Sequence, residues 1–357
     1  MKRKLTLQEN LQLQPAHALW KQYRPEEAPF AFRSANIAEA RRWQRSAGAA
    51  LSRLIGFQDG SSVGLTPRVL ERVDKGDYVR EKILLRTAAH TLMPVYLLLP
   101  KGAARPGVVL AFAGHGYGVK DIVGLWEDGS ERHEPDGYHK DFAVALCRHG
   151  LAVAAPEISC FGERQTDFSC LDAELGQPTP STCAHTAALA AHLGGSALGL
   201  RVRDARRLVD YLLTRRDLDA ARLGAMGISG GGMHALFSAA LDRRIGACVI
   251  SGYFCTFRDS ILAMHHCPCN FVPGLHAFGE MHDLAGLVAP RPMLIEAGSR
   301  DGIFPIASVR QAVKNARKVY GVFGASDAIE TDYFEGRHQV SGRREYDFLA
   351  EKLVRKL

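Results

Sequence analysis

The sequence predicts an α/β fold in which a mostly parallel central sheet carries helices on both faces. From residue 78 to the C-terminus, short apolar runs typical of strands alternate with segments rich in helix formers, and such repeated β-α units favour a parallel sheet. The chain has 357 residues, of which 46% are hydrophobic and 23% charged. This composition is that of a folded protein with a sizeable core rather than a disordered chain.

The N-terminal segment, residues 1–77, is predicted to be a helical extension of the main domain. Residues 37–47 combine good helix formers with apolar positions at helical spacing. We interpret the extension as packing on the main domain, and a role in substrate specificity is the alternative.

The main domain, residues 78–357, begins with a meander and continues as strand, helix, strand. Predicted strands cover 78–86, 92–100, 108–113, 151–156, 222–226, 245–251, 292–298 and 328–334. Helices are predicted at 141–148, 199–216, from 229, at 306–319 and from 341. The segments 159–199 and 253–285 interrupt this pattern, and we interpret them as cap-like insertions near a pocket.

A nucleophile motif joins the strand at 222–226 to the helix that follows it. Residues 227–231 read Gly-Ile-Ser-Gly-Gly, the G-x-S-x-G pattern of a sharp strand-to-helix turn that exposes the serine above the sheet. Gly227 and Gly231 are the small residues that this nucleophile elbow requires, and Ser229 is the predicted nucleophile. The alternative, a glycine-rich turn without chemistry, does not explain why the motif lies between a strand and a helix.

A serine nucleophile needs a histidine base and a carboxylate that orients it, and both should follow in the order acid, then base. Asp301 follows directly after the strand at 292–298, whereas Glu296 lies inside that strand. His338 follows the last strand and is the only histidine after His282. An Asp-Gly turn and a surface histidine are the simpler explanations for Asp301 and His338, respectively.

The same chemistry needs two backbone N–H donors that form an oxyanion hole. Gly230, directly after the nucleophile, is expected to supply one. Residues 114–118, Gly-His-Gly-Tyr-Gly, follow the strand at 108–113, and the N–H of Tyr117 is the predicted second donor. His115 is interpreted as a structural residue of this turn rather than a second base.

Taken together, these motifs resemble the α/β-hydrolase superfamily, and within it the bacterial acetyl xylan esterase-like and dienelactone hydrolase-like branch. The resemblance covers about residues 78–357 and includes the loop at 156–164 and the approach to the acid-bearing strand at 283–292. Two positions depart from it: similar acetyl esterases carry Gln where Gly230 stands, and dienelactone hydrolases carry Cys where Ser229 stands.

The resemblance implies a serine esterase that uses a Ser229–His338–Asp301 triad, an acyl-enzyme and no cofactor. Its substrate would be a small-molecule carboxylic ester, such as an acetyl or other short acyl ester. A serine peptidase or amidase of the acylaminoacyl-peptidase-like type is the alternative, since ester and amide cleavage share the same groups. A catalytically inactive hydrolase fold used for binding is a further alternative.

The eight cysteines, at 147, 160, 170, 183, 248, 255, 267 and 269, are expected to be reduced thiols in the cytoplasm because no export signal is recognisable. Residues 265–269 read His-His-Cys-Pro-Cys, and histidine and cysteine are residue types that bind metal ions. Structural zinc sites favour cysteine pairs with two to four residues between them, so this spacing favours a thiol-lined loop near the pocket. We therefore expect no metal.

The charge distribution argues against nucleic acid as a partner. The net charge is +7, but its 45 basic and 38 acidic side chains are scattered without a long basic block, which is typical of a solvated surface. Apolar runs are far too short to span a bilayer, so no membrane partner is expected. The sequence leaves homo-oligomerisation open.

Overall fold

The computed structural model describes residues 4–58, 63–167 and 182–353. The strands of these ranges are β1 (Arg68–Asp74), β2 (Tyr78–Ala88), β3 (Thr91–Pro100), β4 (Gly107–Phe112), β5 (Ala152–Pro156), β6 (Asp219–Ile228), β7 (Ile245–Ser251), β8 (Met293–Gly298) and β9 (Ile329–Phe334). They form one sheet in the order β1-β2-β3-β5-β4-β6-β7-β8-β9. β1, β2, β3 and β5 pair antiparallel, and all pairs from β5 to β9 are parallel.

The α-helices of the described ranges are α1 (Leu7–Gln12), α2 (Pro15–Gln22), α3 (Ile37–Ile55), α4 (Phe142–Arg148), α5 (Thr182–His192), α6 (Ala197–Leu212), α7 (Gly230–Leu241), α8 (Met281–Val288), α9 (Ile306–Gly321) and α10 (Glu345–Leu353). None of them is both long and apolar enough to cross a membrane. The strand and helix positions agree closely with those predicted from the alternation of apolar runs.

Two hydrophobic cores lie on the two faces of the sheet. Successive residues of β4 alternate between them: Val108 and Leu110 contribute to the core that also holds residues of α3, α6, α7, α8 and α9. Val109 and Ala111 contribute to the core that holds residues of α4 and α10. Every residue of β4 is buried, because side chains of successive strand residues point to opposite faces and both faces are covered. The predicted fold class is confirmed.

The N-terminal segment is not entirely helical, which corrects one expectation. β1 lies within residues 1–77 and pairs with β2 at the edge of the sheet. Its side chains are almost all exposed, so it lacks the apolar pattern by which strands are recognised in a sequence. The division of the chain after residue 77 stays a prediction.

α3 attaches the extension to the rest of the molecule. Its buried residues are Ala40, Gln44, Ala47, Leu51 and Ile55, a spacing that forms one stripe along a helix. The Gln44 side-chain amide donates to the carbonyls of Gly286 and Ala289, each at 2.7 Å. The extension therefore packs on the sheet-bearing part of the chain through both apolar and polar contacts.

Candidate active site

The turn between β6 and α7 holds Ser229 in a strained backbone conformation. Its φ is 57° and its ψ is −123°, a combination that costs a non-glycine residue about 1–3 kcal/mol. A Cβ atom on Gly227 would lie 2.1 Å from the carbonyl oxygen of Gly231, and one on Gly231 would lie 2.0 Å from that of Phe112. Only glycine fits at these two positions, as the motif predicts.

Ser229 stands at the N-terminus of α7, where the first N–H groups of a helix have no partner within the helix. Its own backbone N–H donates to the Ser251 carbonyl at 3.0 Å, and its side chain does not cap the helix. The residue is 8% exposed. The hydroxyl is thus not used as a helix cap, and the partial positive charge of the helix N-terminus favours a negative charge beside it.

Asp301 and His338 meet although they lie in different loops. The Asp301 carboxylate oxygen Oδ2 lies 2.7 Å from His338 Nδ1. The other oxygen, Oδ1, accepts hydrogen bonds from the backbone N–H groups of Ile303 at 2.9 Å and Phe304 at 3.1 Å. The carboxylate is buried and fixed at both oxygens, so it can orient the imidazole.

The His338 ring is held on both sides. The Phe304 ring stacks on it at a centroid distance of 5.7 Å, and a Cβ on Gly252 would lie 3.0 Å from His338 Cε1. Gly252 also has a positive φ of 49°, so glycine is required there for two reasons. His338 Nε2 is buried and has no hydrogen-bond partner among the described residues, which leaves it free to accept a proton.

Tyr138 is a residue of the site that the sequence analysis missed. Its hydroxyl donates to the His115 carbonyl at 2.7 Å and also interacts with the Ser229 side chain. Its ring lies 5.4 Å from that of His338, and burial raises its pKa above the usual range. No local motif marks Tyr138, because it comes from the long loop before α4.

The turn after β4 lies against Ser229, but its N–H groups are used differently from the prediction. A Cβ on Gly114 would lie 3.1 Å from Ser229 Cβ, and the Gly114 N–H donates to His139 Nε2 at 2.9 Å. The Tyr117 N–H donates to Asp121 Oδ2 at 2.9 Å. This bond occupies the predicted second oxyanion donor, because the turn folds back on the Asp121 carboxylate.

His115 occupies the space beside Gly230. A Cβ on Gly230 would lie 3.0 Å from both Nδ1 and Cε1 of the His115 ring. A larger residue, such as the glutamine of similar acetyl esterases, would therefore have to displace the imidazole. The departure of Gly230 from the family pattern is explained by the histidine that faces it.

Three titratable groups, two of them buried and Asp121 partly buried, support this turn from below. Burial lowers the pKa of His139 to about 3, so the ring is neutral and can accept the Gly114 N–H. Burial raises the pKa of Asp121 to about 6 and that of Glu157 to about 7. Glu157 Oε1 accepts the Val119 N–H at 3.0 Å, and thus ties the turn to the end of β5.

Glu296, the carboxylate set aside in favour of Asp301, has a different position. It is fully buried in β8, where its Oε1 accepts from the Ser251 hydroxyl at 2.6 Å and from the Ser341 N–H at 3.0 Å. These bonds fasten the end of β7 and the loop after His338. Glu296 therefore supports the loop that carries the base and does not contact the base itself.

Both predicted insertions approach the site where they are described. From 253–285, the His266 ring packs on Phe304 at 5.6 Å, and from 159–199 the Phe161 ring contacts His115 at 5.2 Å. A cavity of about 890 Å³ lies between α2, α5 and residues 257–279, and its lining is mostly apolar. Ser229, Asp301 and His338 do not line it. Cys170 lies outside the described residues.

Comparisons with known proteins agree with this architecture. Residues 15–356 match the model of the Abhydrolase family. A Bacillus subtilis (strain 168) protein, YtaP, which is provisionally named as a hydrolase, is 28% identical over 271 residues, covering 73% of this chain and 82% of its own length.

Solved structures share the fold at low identity. A Bacteroides fragilis NCTC 9343 protein, provisionally described as an acetyl xylan esterase, superposes with a TM-score of 0.74 at 17% identity, over 96% of this chain and 91% of its own. A glucuronoyl esterase from Solibacter usitatus superposes with a TM-score of 0.65 at 18% identity, over 91% of this chain and 97% of its own.

Proposed function

The chain belongs to the Abhydrolase family, and on this premise we propose that it is a serine esterase that hydrolyses carboxylic esters. The observation that carries the proposal is the 2.7 Å contact between Asp301 Oδ2 and His338 Nδ1, made by loops that also bring the His338 ring next to Tyr138 and so towards Ser229. A strained serine, an aspartate and a histidine, in this order along the chain, are the requirements of acyl transfer by a triad in this fold.

In the first step, His338 Nε2 takes the proton of the Ser229 hydroxyl while the oxygen attacks the ester carbonyl carbon. The resulting imidazolium is stabilised by the Asp301 carboxylate. His338 then gives the proton to the leaving alcohol, and an acyl-enzyme on Ser229 results. Water, deprotonated by His338, attacks the acyl carbon; the bond to Ser229 Oγ then breaks, His338 returns the proton to that oxygen, and the acid is released.

The tetrahedral intermediate carries a negative oxygen that needs two N–H donors. We assign one to the Gly230 N–H at the start of α7. Because the Tyr117 N–H is bonded to Asp121, we assign the second to the His115 N–H, which directly follows the residue lying against Ser229. Losing such a donor typically costs about 2.7–4 kcal/mol of transition-state stabilisation.

For the substrate, we propose an ester with an acetyl or other short acyl group. Structural neighbours described as acetyl xylan esterases and glucuronoyl esterases support an ester of a carbohydrate as the first class to examine. Phe161 packs on His115 and His266 packs on Phe304, so both rings neighbour residues that flank the site, an arrangement compatible with a small acyl group. No contact in the described residues favours the peptidase alternative.

The proposal is tested with a fluorophosphonate probe and short-chain p-nitrophenyl esters. Wild type should be labelled covalently and should hydrolyse the acetyl ester, and Ser229→Ala should lose labelling and at least about 10⁴-fold in kcat. Ser238→Ala is the matched control, because Ser238 is also a buried serine of α7 but lies outside the site.

Two outcomes would overturn the proposal. Labelling that persists in Ser229→Ala would mean that another residue is the nucleophile. Wild-type turnover of aminoacyl p-nitroanilides without turnover of any ester would instead support the peptidase alternative.

A further inference from the structure

Four side chains that are distant in the sequence converge beside the turn after β4. They are His115, Cys183, Cys267 and Cys269, and one ring nitrogen and three sulfur atoms of this set all lie within 4.8 Å of one another. Cys267 Sγ lies 3.0 Å from Cys183 Sγ, and Cys269 Sγ lies 3.5 Å from His115 Nε2. We call this set the thiol cluster.

The donor set and its dimensions suit a tetrahedral zinc ion. Zinc binds thiolate sulfur at about 2.3 Å and imidazole nitrogen at about 2.0–2.1 Å, and Cys₃His is a common structural combination. Ligand atoms at the corners of such a tetrahedron are separated by roughly 3.5–3.8 Å. The two contacts given above, of 3.0 Å and 3.5 Å, lie below and at the lower end of this range, and all four atoms lie within 4.8 Å of one another, so a small adjustment of the side chains would complete the geometry.

Hydrogen-bond donors lie next to sulfur atoms of the thiol cluster, as they do around thiolates that bind a metal. Arg201 Nη2 lies 3.8 Å from Cys183 Sγ, and Asn270 Nδ2 lies 3.9 Å from Cys269 Sγ. Hydrogen-bond donors at ligand sulfurs are a usual feature of the surroundings of metal sites. Both donors come from segments that also pack against the cluster, which keeps them in place.

The charge of Arg201 gives an independent argument. The side chain is almost completely buried, and its Nε and Nη1 atoms have no hydrogen-bond partner among the described residues. A buried guanidinium needs a compensating negative charge. Zinc bound by three thiolates and one neutral imidazole carries a net charge of −1, which would supply it.

We propose that His115, Cys183, Cys267 and Cys269 bind a structural zinc ion. On binding, the three thiols each lose a proton to solvent, and three Zn–S bonds and one bond to His115 Nε2 form. Four protein ligands fill the coordination shell, so the ion has no open position and takes no part in the chemistry of ester cleavage. The expectation of a metal-free loop, drawn from the spacing of Cys267 and Cys269 alone, is thereby revised.

The site would join three segments of the chain: the turn after β4, helix α5, and the 3₁₀ turn Pro268–Asn270. His115 would face zinc with Nε2, while the opposite side of its ring lies against Gly230. Zinc would therefore hold the turn that flanks Ser229. The metal site itself stands whether or not the protein hydrolyses esters.

The test begins with the metal content of the full chain, purified without added chelator from cells grown with zinc. We expect one zinc per chain that survives dialysis against a weak chelator and is released when a mercurial titrates the thiols. Refolding with Co²⁺ should give intense visible absorption and sulfur-to-cobalt charge transfer, which report tetrahedral thiolate ligation. None of these readouts depends on activity, so Ser229→Ala should behave as wild type does.

Matched variants locate the ion. Cys269→Ala and Cys248→Ala remove the same atom from two fully buried cysteines, of which Cys248 lies in β7 outside the thiol cluster. We expect Cys269→Ala to lose at least tenfold in zinc affinity and Cys248→Ala to keep it. Zinc-free wild type that also shows no cobalt–thiolate absorption would overturn the proposal. A disulfide between Cys183 and Cys267, found by mass spectrometry after rapid alkylation, would do the same.

Discussion

The proposed triad and the thiol cluster lie on two sides of the turn after β4, yet they are built in opposite ways. Ser229, Asp301 and His338 each follow a strand of the parallel region, and the carboxyl ends of parallel strands share one edge of the sheet. The thiol cluster instead combines one residue of that edge with residues from α5 and from the segment after β7.

The difference shows two routes by which a chain assembles a site. Where a site is formed at strand ends, the sheet topology brings its residues together and local motifs mark them. Where it is formed by insertions, only their packing decides which side chains meet. Four substitutions test this comparison. Each changes a residue on one side of the turn, a residue that supports the turn, or the contact between its two sides.

The largest effect is expected from Asp301→Asn, on the triad side. The asparagine would favour the wrong tautomer of His338, and a loss of about 10⁴-fold in kcat is expected with the fold intact. Steady-state kinetics on p-nitrophenyl acetate measure it. Asp217→Asn, an exposed aspartate paired with Arg215 before β6, is the control. A loss of less than about tenfold would exclude Asp301 as the acid of the triad.

Gly227→Ala tests the close approach in the nucleophile elbow. The added Cβ would lie 2.1 Å from a backbone oxygen, so we expect a loss of about 3 kcal/mol in the free energy of unfolding and of most activity. Gly48→Ala, in α3, meets only one side-chain atom at 3.9 Å and should stabilise the protein by about 0.5–1 kcal/mol. Equal stability of the two variants in denaturant titrations would contradict the strained elbow.

Glu157→Gln tests the support beneath the turn through its pH dependence. Burial raises the pKa of Glu157 to about 7, so the stability that the protonated form contributes is complete below the ordinary carboxyl pKa and is lost as the pH rises through about 7. Glutamine does not ionise. The variant should therefore gain stability relative to wild type above about pH 7, by at most about 3 kcal/mol.

Urea denaturation near pH 5 and near pH 9 measures this difference. The decisive quantity is the gap in the free energy of unfolding between variant and wild type, compared at the two pH values. Any effect of the amide on packing is common to both pH values and cancels in this comparison. A gap that is the same at both pH values would show that folding does not raise the pKa of Glu157.

Gly230→Ala connects the two sides of the turn and has the smallest expected effect. Its Cβ would lie 3.0 Å from the His115 ring, so either the ring or the oxyanion donor must shift. We expect about a tenfold loss of kcat, which is smaller than the loss caused by removing an oxyanion donor completely. If zinc holds His115, the loss should be greater in zinc-loaded protein than in zinc-stripped protein. Equal losses of kcat in zinc-loaded and zinc-stripped protein would show that the thiol cluster does not hold the turn in place.

The sequence predicted the features that depend on residues close together in the chain. The alternation of apolar runs and helix formers predicted the sheet and most of its strands, because strand and helix periodicities are visible over a few residues. The elbow glycines and the positions of Asp301 and His338 followed from motif order. β1 was missed because its side chains are mostly exposed, and so no apolar pattern marks it.

Contacts between distant segments could not be found in this way. Asp121 is four residues from Tyr117, but only the fold of the turn directs its carboxylate to the Tyr117 N–H. Tyr138 reaches Ser229 and His338 from a loop whose path has no sequence signature. Cys183 is 84 residues from Cys267, and their spacing along the chain carries no information about their contact.

By itself, the sequence determined the α/β-hydrolase architecture and predicted three residues for a triad, because strand ends converge on one edge whatever the loops do. Only the tertiary structure decided that the Tyr117 N–H is bonded to Asp121, why position 230 is glycine, and that one histidine and three cysteines meet next to the site. These features depend on how insertions pack on the sheet, and packing is set by the whole chain rather than by any short stretch of it.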